Sequence, residues 1–246
     1  MPRKSRIVFA NYPHHVVQRG HRQQDVFYSD IDRADYLRTL VECRESMGVR
    51  IYAYCLMDNH VHLIIDPGTD ASSISATMKR LAGRHARRIN RRNCWRGSLW
   101  ESRFKCSPID ADRYLLICGR YVDLNPVRAR IVPSPELFAW SSYRARSGLT
   151  ICDWLDQDPA LAALAHTAER RAALYREFVG LPIDEQELAL IRGASSRNQL
   201  TGSDEFVASI QHQEGVHIPR RGRGRPRKNP GAETKQAPCG ARSREK

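Results

Sequence analysis

The alternation of apolar and polar positions changes period several times along the chain, and each change marks an element. Segment 14–19, HHVVQR, reads as a short strand. From there Ile31, Tyr36, Leu37, Leu40, Val41 and Met47 fall near helical spacing, with Asp30 or Asp32 as the cap and Gly48 as the stop. VRIYAYCLM (49–57) is rich in β-branched and aromatic residues, Asp58-Asn59 has turn chemistry, and HVHLIID (60–66) completes a hairpin. A helix over about 72–92, a strand-like run around 98–109, and a helix from Asp110 or Asp112 through RYLLICGRYVDL to Pro126 follow. The order β-α-β-β-α-β-α predicts an α+β fold: a ferredoxin-like, RRM-like antiparallel sheet with helices on one face and the other face free for chemistry.

Beyond about residue 148 the pattern weakens. ALAALAHTAERRAALYREFVG (160–180) reads as one helix, with shorter ones over 184–193 and 204–211. From Pro219 on, Pro, Gly and Arg dominate, and such a segment cannot offset its ordering entropy by apolar burial. The expected organisation is a catalytic domain over 1–148, a helical accessory region over 149–218 and a disordered basic tail over 219–246.

Composition narrows the class. A chain of 246 residues with 41% hydrophobic residues can bury a core, yet no apolar run approaches the roughly 20 residues of a membrane span. The basic N-terminus precedes no apolar stretch of a secretory signal. Seven cysteines, odd in number and never paired as CxxC, argue against a disulfide framework and a thiolate zinc site, and suggest a reducing, cytoplasmic location. Charge is segregated: residues 1–150 hold 25 basic and 14 acidic side chains, 151–219 hold 5 and 11, and 220–246 hold 10 and 2. A basic body and a basic tail around an acidic spacer point to a polyanionic partner.

The sharpest chemical feature is Asn59-His60-Val61-His62-Leu63-Ile64-Ile65. On a strand, Val61, Leu63 and Ile65 face one way while His60 and His62 share the other face, close enough to meet one divalent cation or to form a mere polar stripe. Downstream, Tyr121 and Asn125 lie one helical turn plus about 40° apart and project together. If they face the histidines, the Asn125 amide oxygen completes a His/His/Asn site beside a phenol. Otherwise Tyr121 is a core aromatic and Asn125 a cap before Pro126. Nitrogen and oxygen donors without thiolate suit Mg²⁺ or Mn²⁺.

NHVHLII followed by RYVDLNPVRARIV, together with HHVVQRGHRQQDVF (14–27), SLWESRFKCSPID (98–110) and AWSSY (139–143), resembles the HUH single-tyrosine transposases, closest to the REP-associated tyrosine transposases. The resemblance covers about residues 2–148. It implies a metal-dependent DNA transposase and endonuclease that cleaves and rejoins single-stranded DNA near hairpins through a 5′-phosphotyrosine. It further implies His60, His62 and Asn125 as metal ligands and Tyr121 as the nucleophile. Many relatives outside the REP-associated group carry Gln where this chain has Asn125. Tyr114 is the rival nucleophile, but its neighbour one turn on is Cys118, a poor ligand for Mg²⁺. The alternative is a non-catalytic DNA- or RNA-binding module on the same topology, against which the stacking aromatics of an RRM are absent.

Two segments read as DNA contacts. Residues 78–92 carry Lys79, Arg80, Arg84, Arg87, Arg88, Arg91 and Arg92 with no acid, and such a run repels itself unless an anion is near. Arg19, Arg22, Arg103 and Lys105 are weaker candidates. In the tail, RGRGRPRK (221–228), with Arg223 and Arg225, reads equally as an AT-hook for A·T-rich duplex DNA or as a generic basic segment. Monomer and homodimer both stay open.

Overall fold

The computed structural model describes residues 6–111 and 113–215. Asp112 and the AT-hook-like stretch with Arg223 and Arg225 lie outside the described residues. Four strands, β1 (His14–Arg19), β2 (Arg50–Met57), β3 (His60–Asp66) and β4 (Lys105–Pro108), form one antiparallel sheet in the order β2-β3-β1-β4. That order, with helices α1 (Asp30–Met47) and α2 (Ser72–Arg92) as crossovers, is the ferredoxin-like arrangement the pattern predicts. The Asp58-Asn59 turn sets Met57 opposite His60, which fixes which residues of β3 face each way.

Val61, Leu63 and Ile65 face α1 and α2 and bury with Val16, Leu40, Ile74, Met78, Leu81 and Ile89. Helix α1 ends at Gly48 in the left-handed region, φ 66°, as expected of a glycine stop. Its cap is Ser29 rather than Asp30 or Asp32: the Ser29 hydroxyl accepts from the Asp32 amide, which frees the Asp32 carboxylate for the Tyr28 amide and for Arg92. The strand expected around 98–109 is shorter, since residues 95–103 form irregular backbone that meets the end of β1 through the Glu101 amide on the Arg19 carbonyl and a bridge between Gly20 and Trp100.

The second face of the sheet is not free. Helix α3 (Leu115–Asp123) lies across β2 and β3, burying Leu115, Cys118 and Val122 against Ala53, Cys55 and Ile64. It begins later than expected: Tyr114 rather than Asp110 is its cap residue, with no side-chain cap, and Asp110 only closes the preceding turn by accepting the Tyr114 amide. The helix breaks at Leu124 and resumes as α4 (Asn125–Arg128) because Pro126 has no N–H for the Val122 carbonyl; the Asn125 side-chain amide donates to the Tyr121 and Val122 carbonyls instead, at 3.0 and 3.2 Å.

Short helices α5 (Tyr143–Arg146) and α6 (Pro159–Ala162) precede α7 (Ala168–Gly180), α8 (Glu185–Arg197) and α9 (Asp204–Glu214). The single helix expected over 160–180 is therefore two, divided where Thr167 caps α7. Nor does the region after 148 stand apart. Leu188 and Ile191 of α8 join the α3 side of the sheet, and residues 198–201 run along the β4 edge, where Thr201 exchanges main-chain bonds with Pro108 and Asp110. Residues 140–142 cover the other edge through Leu56 and Tyr54, so neither edge is left unpaired.

Candidate active site

His60 and His62 point to the α3 side of the sheet, as strand alternation requires, with ring centroids 4.9 Å apart. Tyr121 projects from α3 onto the same spot: its ring meets those of His62 and His15 edge-on at 5.9 and 5.7 Å. The tyrosine helix thus lies over the paired imidazoles, and Tyr121 is both buried, 7% exposed in the same core cluster as Cys55, Met57 and Ile64, and turned to the histidine rings. Tyr114 sits at the helix N-terminus, seven residues and roughly 10 Å of rise away, with the Arg113 guanidinium over its ring.

Hydrogen bonds orient both rings. The Asn59 amide donates to the Gln23 carbonyl, so its oxygen faces His60 Nδ1 at 2.6 Å and accepts a proton from it. His62 Nδ1 meets His15 Nε2 at 2.8 Å, and His15 Nδ1 meets the Ser195 hydroxyl at 2.7 Å. Among the described residues the Nε2 atoms of His60 and His62 have no hydrogen-bond partner. Burial holds all three rings neutral. It pushes His60 down to about 4, helped by the Arg19 and Arg128 charges, and His15 to about 3, helped by Arg128. His62 lies well below the ordinary imidazole range, from burial first and then its neighbours His60 and His15.

Arg128 completes the cluster. Its guanidinium lies 4.0 Å over the Tyr121 ring and donates to the Tyr121 carbonyl and to Asn125 Oδ1, each at 3.0 Å, while its Nε is buried without a partner among the described residues. Asn125 therefore does cap the helix, and its oxygen, turned to Arg128 in a buried position, accepts one bond and keeps one lone pair. The Asn59 oxygen keeps the His60 proton on Nδ1 and its lone pair on Nε2, and neutral imidazoles suit a borderline divalent cation, whereas the Asn125 oxygen is engaged by Arg128. No set of three His, Cys, Asp or Glu side chains suited to a metal forms among the described residues, so such an ion would need the amide, water or a substrate oxygen as well.

Sequence reasoning did not single out His15, Arg128 or Ser195. The first two lie in segments it quoted, and period-2 alternation from Val16 could have placed His15 on the histidine face; nothing local marks Ser195.

The basic helix is on the opposite face. Arg80 and Arg84 pair with Glu42, Arg88 with Asp35 and Asp32, and Arg92 with Asp32, so α1 supplies the anions the run requires. Lys79, Arg87 and Arg91 are exposed and form no ion pair among the described residues.

A ferredoxin-like sheet with a tyrosine helix laid over twin imidazoles defines an α+β protein with one polar cluster on its helix-covered second face. The family model described as "Transposase IS200 like" matches residues 8–125, just under half of the chain, and this segment, which holds His60, His62, Tyr121 and Asn125, belongs to that family. Among solved structures it is similar in fold to a REP-associated tyrosine transposase bound to a REP hairpin, with TM-score 0.51 and 16% identity over 64% of this chain and 93% of that one. A protein of Deinococcus radiodurans R1 assigned as a transposase is more distant, with TM-score 0.33 and 19% identity over 53% and 92%. No match is found among curated protein sequences. Among the described residues no helix is long and apolar enough to cross a membrane.

Proposed function

We propose that this transposase acts as a single-tyrosine DNA strand transferase and endonuclease, cleaving and rejoining single-stranded DNA beside hairpins with Tyr121 as the nucleophile. The observation that carries this reading is the Tyr121 ring 5.9 Å from the His62 ring, on the face where the His60 and His62 rings meet. His60 and His62, with the Asn125 oxygen, would hold Mg²⁺ or Mn²⁺. Such an ion supplies Lewis-acid polarisation of the scissile phosphate when bound.

The chain's own groups do the rest. Arg128, stacked over the Tyr121 ring, would counter the charge of a phosphate that meets the phenol, with Arg19 beside His60 adding to the field. The Tyr121 oxygen forms a bond to phosphorus as the bond to the 3′ oxygen breaks. The phenolic proton is lost to solvent, the departing oxygen gains one as a 3′-hydroxyl, and a 5′-phosphotyrosine remains. That ester conserves the phosphodiester's free energy for rejoining, so no nucleotide cofactor is needed.

A hairpin substrate is supported by the fold neighbour, solved with a REP hairpin. Lys79, Arg87 and Arg91 reach phosphates without first breaking an ion pair, and the tail with Arg223 and Arg225 adds a second basic contact. The test is a labelled single-stranded hairpin with Mn²⁺ and mass spectrometry of the adduct. Tyr121→Phe should yield no adduct while still binding the hairpin. An adduct mapped to Tyr114, or cleavage by Tyr121→Phe, would overturn the assignment.

A further inference from the structure

The two candidate ligand histidines obtain their orientation from different distances along the chain. His60 is held by its sequence neighbour Asn59, whose carbonyl oxygen requires a proton on Nδ1 and leaves the lone pair on Nε2. His62 is held by a relay from elsewhere. His15 of β1 is fully buried and stacks on His62 with ring centroids 5.1 Å apart, and Ser195 of α8, 9% exposed, closes the relay at 2.7 Å.

Three neutral groups in a row can carry their protons in two directions. In one, His62 Nδ1–H donates to His15 Nε2 and His15 Nδ1–H donates to the Ser195 oxygen, so His62 Nε2 presents a lone pair beside that of His60. In the other, every proton is reversed and His62 Nε2 presents a hydrogen. Only the first gives two lone pairs on the tyrosine side. Among the described residues the Ser195 hydroxyl bonds only His15, so its oxygen is free to accept the His15 Nδ1–H while its own proton turns away.

We infer that His15 and Ser195 are positioning residues that fix the tautomer of His62, so that the C-terminal helix α8 supplies part of the metal site built on the sheet. This rests on His60 and His62 as cation ligands, the reading given above. It also gives α8 a role in the site besides covering the sheet. A ligand imidazole whose other nitrogen donates to a fixed acceptor is oriented and made more basic, and loss of such a partner typically costs 10–100-fold in metal affinity.

Ser195→Ala removes one oxygen and leaves the His15 Nδ1–H without an acceptor. His15 then shifts its proton to Nε2, donates to His62 Nδ1 and drives the His62 proton onto Nε2, where the cation would bind. The experiment uses the full chain labelled with ¹⁵N at histidine. Two-bond ¹H–¹⁵N spectra of the metal-free protein read the tautomer, electron paramagnetic resonance of free Mn²⁺ reads the affinity, and thermal melting confirms folding.

The expected result is a wild-type His62 protonated on Nδ1. In Ser195→Ala, His62 is protonated on Nε2 and Mn²⁺ affinity falls about 10–100-fold, whereas Ser195→Thr, which keeps the hydroxyl, retains the wild-type tautomer. A wild-type His62 protonated on Nε2 overturns the inference without needing any variant to fold. So does a folded Ser195→Ala with unchanged tautomer and affinity, which would leave the metal reading intact. Conversely, a wild-type protein with the expected tautomer that takes up no Mn²⁺ upholds the relay and removes the metal from the proposed function.

Discussion

Arg128 makes three contacts that a lysine could not reproduce together: a planar cation over the Tyr121 ring, a bond to the Tyr121 carbonyl and a bond to Asn125 Oδ1. An ammonium is a point charge without the fork that spans two acceptors. Arg128→Lys should therefore lower single-turnover cleavage by about 100-fold, the size of losing one preorganised donor at a reacting oxygen, while hairpin binding persists. Cleavage within about twofold of wild type would show that charge alone suffices. At this scale His60, His62 and Tyr121 were legible because alternation on a strand and the helical turn are short-range rules. The ambiguity at Asn125 was legible too, and the structure shows the capping half of it: its amide serves the carbonyls that Pro126 orphans. His15 and Ser195 were not singled out, because their meaning depends on residues 47 and 180 positions away.

Between elements, α1 and α2 meet along a seam of charge rather than of apolar residues alone. Asp32 is central to it. Burial raises its pKa, but bonds from Arg92 and the Tyr28 amide together with the Arg92 charge outweigh that, and the carboxyl ends below its ordinary value. Its folded pKa is thus lower than its unfolded one of about 3.9. The stability it contributes is complete above that range and is lost as pH falls through the folded value. Urea unfolding between pH 6 and pH 3 should show this acid limb, and Asp32→Asn should flatten it. The same seam separates the arginines. Replacing Lys79, Arg87 and Arg91 together by Ala should leave stability nearly unchanged and reduce the slope of log affinity for single-stranded hairpin against log salt by about 2. Arg84→Ala or Arg88→Ala should instead cost stability, by about 1 kcal/mol or less at these half-exposed pairs. The basic run was plain in the sequence, but its division into paired and unpaired members was not, since the acids of α1 lie 38 or more positions upstream of their partners.

Over the whole molecule, the region after 148 is joined to the sheet by a buried polar centre as well as by α8. Arg146 lies 3.3 Å from Asp123 and 3.0 Å from Asp158, and the Tyr175 hydroxyl of α7 donates to Asp123 at 2.7 Å. Gly119 leaves room for it, because a Cβ there would stand 2.3 Å from the Arg146 guanidinium. Ending the chain after residue 148 would strip Tyr175 and Asp158 from this centre and uncover Ile64 and His15. Such a truncation should lose cooperative thermal unfolding, since breaking a buried ion pair alone costs about 3–5 kcal/mol. A sharp melt from residues 1–148 would show that the sheet stands without α7 and α8. Element order, the sheet topology and the family were written in local patterns, because period, turn residues and capping act over a few positions. That α3 and α8 cover the second face, that Ser195 reaches His15, and that α1 neutralises half of α2 follow from long-range packing, in which each partner is chosen by the geometry of a face that exists only once the chain has closed on itself.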